Sequence, residues 1–179
     1  MNLFSAFKTP SKPEAQWFLV GSASSFPDIG TEEEEVADLS KPRTCGGGQN
    51  KVEVPGCKAF HIPKTNPSQG SQVKVTPAEE VPADLTDQVL VFKHKGKFHA
   101  IDHSCPHSSF PLSQGTPFDI EDFGIVLSAG ITCPKHGWSF DLFSGRADRG
   151  NYRLKVWQVE LRDGSEDKEV WVRRKQRMG

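Results

Sequence analysis

No stretch of this 179-residue chain approaches the ~18–20 consecutive apolar residues that a membrane-spanning helix needs. Charge of one sign is equally scarce. The 22 Lys and Arg stand against 23 Asp and Glu, and a net charge of -1 gives nucleic acid no general electrostatic hold. Helical periodicity is short-lived, and 16 Gly and 13 Pro punctuate the chain, which points to short strands joined by turns. The first 15 residues hold Phe4, Phe7, Lys8 and Lys12 but no arginine, and Pro10 and Pro13 break any long amphipathic helix. They read as a flexible N-terminal segment. With no secretory signal visible, the expected compartment is the cytoplasm, with the mitochondrial matrix as the alternative.

Cysteine is sparse as well, at four residues: Cys45, Cys57, Cys105 and Cys133. Cys45 and Cys57 flank a Gly46-Gly47-Gly48 loop, and a reducing compartment would keep them as thiols rather than a disulfide. The other two cysteines stand in a pattern. Cys105-Pro106-His107 is followed, 25 residues on, by Cys133-Pro134-Lys135-His136-Gly137-Trp138. Each of these clamps pairs a soft thiolate with an imidazole, so each loop can hand one ligand to each of two neighbouring metal atoms. A single zinc ion is the alternative for two Cys and two His, but zinc sites usually pair like ligands, Cys with Cys and His with His. Mixed clamps suit iron and sulfide better.

Cys-x-His followed by Cys-x2-His resembles the Rieske family, and so do Gly137, Trp138 and Phe140 after the second clamp and the later Gly145. The resemblance runs over roughly 89–172. It implies one [2Fe-2S] cluster per chain, with Cys105 and Cys133 on one iron and His107 and His136 on the other, and a role in one-electron transfer. It also implies that Leu112 covers the cluster. Rieske proteins of respiratory complexes carry a disulfide between the two clamps, and Phe110 and Lys135 occupy the matching positions here. The same relatives place serine and tyrosine hydroxyls near the cluster sulfurs where this chain has Trp138 and Phe140, which have no hydroxyl. Loss of those donors implies a potential toward the low end of the family range of about -150 to +300 mV.

An oxygenase would need a further iron site of two histidines and a carboxylate on a larger domain. The 43 residues after His136 contain no histidine. The expected function is therefore that of a soluble, low-potential, non-catalytic ferredoxin between a reductase and an acceptor enzyme. Two alternatives remain: an accessory subunit of a larger reductase such as nitrite reductase, and a cluster-based redox sensor. Partners are redox proteins, with no nucleic acid and no membrane span. Oligomeric state has no signature in the sequence.

The expected fold is all-β, an antiparallel sandwich or barrel core with a small cluster-binding subdomain. Strands are expected at 16–21, 58–62, 72–75 and in a hairpin at 88–93 and 97–101 that feeds the first clamp. A second hairpin at 124–127 and 130–132 is expected to feed the second clamp. One domain should cover 16–172, with an exposed acidic and Gly-rich insertion at about 26–51, cluster loops at 103–115 and 133–145, and a basic tail at 173–179. The acids at 32–35 and 119–122 are the candidate docking contacts.

Overall fold

The computed structural model describes residues 16–31, 37–45, 52–75 and 84–175. The expected flexible segment over 1–15, the acid run at 32–35, the triple-glycine loop and the residues beyond 175 lie outside the described residues. Within those residues the regular structure is all β apart from three short 3-10 turns. The strands are β1 (Phe18–Ser22), β2 (Asp28–Ile29), β3 (Pro42–Cys45), β4 (Val52–Pro55), β5 (Cys57–His61), β6 (Ser71–Val73) and β7 (Gln88–His94). They continue as β8 (Lys97–Asp102), β9 (Thr116–Asp122), β10 (Ile125–Thr132), β11 (Ser139–Asp141), β12 (Trp157–Asp163) and β13 (Lys168–Arg174).

Strand β7 holds the layers together. Its run Val89-Leu90-Val91-Phe92 is fully buried, because successive side chains leave opposite faces of the strand and both faces are covered. Val89 and Val91 enter one core with Val20, Phe60, Val170 and Val172. Leu90 and Phe92 enter another with Ile29, Leu112, Ile131 and Phe140. Three layers result. The sheet β1-β13-β12 lies on one side, the five-stranded sheet β2-β7-β5-β6 with β8 on the free flank of β7 is central, and the lobe β11-β10-β9 lies on the other side. All pairings are antiparallel except the two-residue contact of β2 with β7. The β7–β8 hairpin turns at Lys95-Gly96, both with positive φ as a two-residue turn requires.

Polar struts tie the layers. The Trp157 indole donates to Asp102 Oδ1 at 2.8 Å, joining β12 to the end of β8. His94, 3% exposed, meets Asp119 of β9 at 3.0 Å, and Lys95 donates to the other oxygen of the same carboxylate. That hydrogen bond holds the Asp119 carboxyl below the ordinary range.

Four expectations need correction. Asp119, with its side chain 9% exposed, is a strut and not a docking acid, while Glu121 and Asp122 of the same expected stretch are exposed. The stretch expected as an exposed insertion contributes Phe26, Ile29 and Leu39 to the cores, and Leu39 donates its N–H to the Gly115 carbonyl at 3.2 Å. Isolated apolar residues in a polar segment gave too weak a pattern to signal burial. The second hairpin is in fact β9 with β10, because 125–132 is one continuous strand. Gly130 interrupts the apolar pattern but continues the strand: the Phe118 ring lies over it, so close that a Cβ would stand 2.3 Å from the ring. Arg173 and Arg174 belong to β13 and not to a tail. Arg174 donates to the Ile62 carbonyl at 2.8 Å and pairs with Asp87 at 3.1 Å.

His99 on β8 stacks on Phe92, with its Nε2 buried and unpartnered. Burial, helped by the nearby His94 and Lys97, pushes its pKa down to about 4. The unfolded chain takes up a proton near pH 6.5 that the folded chain refuses until about pH 4, so stability falls as pH drops across that window. His99→Leu is expected to flatten that acid limb by up to about 1.4 kcal/mol per pH unit in denaturant unfolding between pH 7 and 4.5.

Candidate metal centre

The two clamps are built as the same backbone turn. Cys105 donates its N–H to the Phe110 carbonyl at 2.9 Å and accepts from Ser109 N–H at 2.8 Å. Cys133 donates to the Trp138 carbonyl at 2.8 Å and accepts from Gly137 N–H at 3.0 Å. In each clamp the residue four beyond the cysteine has positive φ, Ser109 at 53° and Gly137 at 68°. Proline follows each cysteine and fixes the first step of the turn. Each turn is closed at its base, the first by the Ser104–Pro111 bridge and the second by the 2.8 Å contact between the Thr132 and Ser139 hydroxyls.

Strand β8 delivers the first turn and β10 the second, and the four expected side chains converge. Both cysteines are buried in the core that contains Leu112, Ile131 and Phe140. Hydrogen bonding between their thiols pulls Cys105 down to about 5 and pushes Cys133 up. The His107 and His136 rings lie 5.2 Å apart between centroids. His107 Nδ1 is buried without a hydrogen-bond partner, a costly state for a nitrogen lone pair unless a metal takes it. The two thiols are in hydrogen-bond contact and the two imidazoles are neighbours. The arrangement fits a binuclear centre.

The two imidazoles have different surroundings. His136 is exposed. His107 is half-buried, stacked on Trp138 at 4.2 Å and 13°, with the edge of Tyr152 at 5.2 Å. Arg149 reaches back over Trp138 and donates to the Gly137 carbonyl at 3.4 Å.

Other residues were not legible as site residues. Tyr152, the chain's one tyrosine, had only its rarity to mark it. His103, at 2% exposure, braces the first loop. Gln88 Nε2 donates to the Asp84 carbonyl at 2.9 Å, so Gln88 Oε1 accepts from His103 Nδ1 at 2.9 Å. His103 Nε2 is then left to accept from the Ser113 hydroxyl at 2.9 Å. Burial pushes His103 down to about 4 and keeps it neutral in this chain of bonds. Ser108 places its hydroxyl 3.8 Å from Cys133 Sγ, so one thiolate has a hydroxyl neighbour although Trp138 and Phe140 supply none. Leu112, expected over the cluster, is fully buried with both cysteines and held by its N–H to the His103 carbonyl at 2.8 Å. Cys57 is a free buried thiol, pushed up to about 12 by burial and by the charge of Asp38.

The Rieske [2Fe-2S] domain family matches residues 68–158. Apoptosis-inducing factor 3 of Homo sapiens is 34% identical over 138 residues, covering 75% of this chain and 18% of that protein. The Rieske domain-containing protein of Homo sapiens is 38% identical over 77 residues, 42% of this chain and 46% of that one. The 3-phenylpropionate/cinnamic acid dioxygenase ferredoxin subunit of Photorhabdus laumondii subsp. laumondii is 31% identical over 103 residues, 53% of this chain and 90% of the subunit. This chain thus spans less than half the length of either human relative and most of the bacterial one.

The second turn needs left-handed backbone at Gly137 but leaves open space around it, with nothing within 4 Å of a Cβ added there. Gly137→Ala is therefore expected to cost about 1 kcal/mol of backbone strain without a clash, read as a lowered denaturant midpoint.

Proposed function

The chain belongs to the Rieske [2Fe-2S] family, and from that premise we propose that Cys105 and Cys133 hold one iron of its cluster and His107 and His136 the other. The observation that carries this assignment is the buried, unpartnered His107 Nδ1, with the His136 ring 5.2 Å from its own and both clamp cysteines buried. The protein is a Rieske electron carrier with a [2Fe-2S] cluster. Bound between the clamps, the cluster supplies reversible one-electron exchange.

The residues around the site have separable tasks. The twin turns fix four ligand directions, and the His103–Gln88–Ser113 chain keeps the first turn from shifting. Trp138 and Tyr152 cover His107 and shield that side from water. His136 stays open, the natural face for electron passage. In our reading the domain spans 16–174 and works in the cytoplasm as a low-potential ferredoxin, taking an electron from a reductase and giving it to an acceptor enzyme. The Photorhabdus relative, named as the ferredoxin subunit of a dioxygenase, supports the carrier role.

The test is low-temperature electron paramagnetic resonance of anaerobically purified, dithionite-reduced protein, with iron and sulfide analysis. A rhombic signal with average g below the free-electron value and two irons per chain is expected. Stoichiometric zinc without sulfide would overturn the assignment. Ser108→Ala should lower the reduction potential, because a hydroxyl near sulfur stabilises the more negative reduced state. One hydrogen bond of ~1 kcal/mol corresponds to about 40 mV for one electron, a shift that voltammetry resolves.

A further inference from the structure

The second clamp and the segment 146–153 that packs on it carry four exposed basic side chains, although the chain as a whole has a net charge of -1. Lys135 stands in the second clamp next to His136, and both are exposed. The segment that folds over that clamp brings Arg146, Arg149 and Arg153, also exposed. The acids of the same stretch have partners of their own, Asp141 within the loop and the exposed Asp148 on Arg149. Asp141 accepts N–H groups of Phe143 and Ser144 at 3.0 and 2.5 Å, and Asp148 accepts from Ser139 N–H and pairs with Arg149 at 2.7 Å. Among the described residues, Lys135, Arg146 and Arg153 have no carboxylate within ion-pair distance.

One detail argues that this clustering is kept at a cost. Arg146 and Arg153 face each other directly across an antiparallel bridge. Like charges at opposed positions destabilise a strand pair, so folding alone would favour a different residue at one of them. Of the acids expected to dock a partner at 119–122, Asp119 is spent on His94 and Lys95, whereas Glu121 and Asp122 are exposed at the far end of the β9–β10 hairpin.

We propose that the rim of Lys135, Arg146, Arg149 and Arg153 is the docking surface for the redox partner, and that this partner presents carboxylates around its own electron-transfer site. The proposal rests on the electron-carrier reading above. Opposite charge on the two rims steers His136 toward the partner and speeds encounter, an effect that salt removes. One electron then passes between this protein and the partner's redox centre, which gains or loses the same electron.

The test uses cluster-loaded protein, its content established by iron, sulfide and paramagnetic resonance. Dithionite-reduced protein, freed of excess reductant, is mixed in stopped flow with hexacyanoferrate(III), an anion, and separately with tris(phenanthroline)cobalt(III), a cation. Each oxidant takes one electron. Ionic strength is raised from about 10 mM to about 1 M, which shortens the screening length from about 30 to 3 Å. The anion's rate should fall about tenfold or more while the cation's does not fall. Lys135→Gln, Arg146→Gln and Arg153→Gln together should abolish the anion's advantage. The ratio of the two rates cancels any change in driving force. Equal salt responses, or a cation favoured at low salt, would overturn the proposal even if the triple variant failed to load its cluster. Protein without any cluster would remove the electron-carrier reading instead. Calorimetry with redox-inert hexacyanocobaltate(III) then decides the rim alone: saturable binding lost in the triple variant supports it, and no binding overturns it.

Discussion

Everything at the cluster end depends on a backbone hydrogen bond made twice, from the amide of each clamp cysteine to the carbonyl five residues on. A side-chain ligand is only as well aimed as the backbone beneath it, and loops are ordinarily the least well aimed part of a protein. Here each loop is closed on itself before any metal is considered. Proline sets the first step and a left-handed residue the last. Two independent stretches of chain thus adopt one shape and present their cysteines inward. The histidines differ by one place in the turn, at the second position after cysteine in the first clamp and the third in the second. That offset gives one half-buried imidazole and one exposed.

The turns would be of no use if they could drift relative to one another, and the layers prevent it. β7 is packed on both faces, so β8, which carries the first clamp, is held by the central sheet. The lobe that carries the second clamp packs against the same sheet through Leu90 and Phe92 and is fastened by the His94–Asp119 contact. His103 completes the arrangement from below. Its two ring nitrogens connect the start of β7 to the 3-10 turn after the first clamp, and burial keeps it in the neutral form those bonds require. Buried polar groups of this kind give geometry more than stability, since each costs desolvation that its hydrogen bonds largely offset.

The sequence made the ligands legible because their chemistry is local: a thiolate and an imidazole two or three residues apart, twice. The β7–β8 hairpin was legible for the same reason, an alternating pattern broken by Lys95-Gly96. What could not be read were partnerships between distant residues. Asp119 looked like one acid among several until His94, 25 residues earlier in the chain, was found against it. Ser108 and His103 are ordinary residues by type, and only their neighbours Cys133 and Gln88 give them roles. Phe26 and Leu39 lay in a segment whose average polarity concealed them. Gly130 looked like a break because glycine usually is one, whereas here an aromatic ring from the paired strand fills the missing side chain's place.

The pairing of β1 with β13 joins segments some 150 residues apart, whereas the clamps and the strands that carry them lie within 88–154. Closing a long loop costs entropy before its contacts return anything, and short loops close first. The part that grips metal is assembled from strands close in sequence, whereas the outer sheet needs the two ends of the described chain to meet.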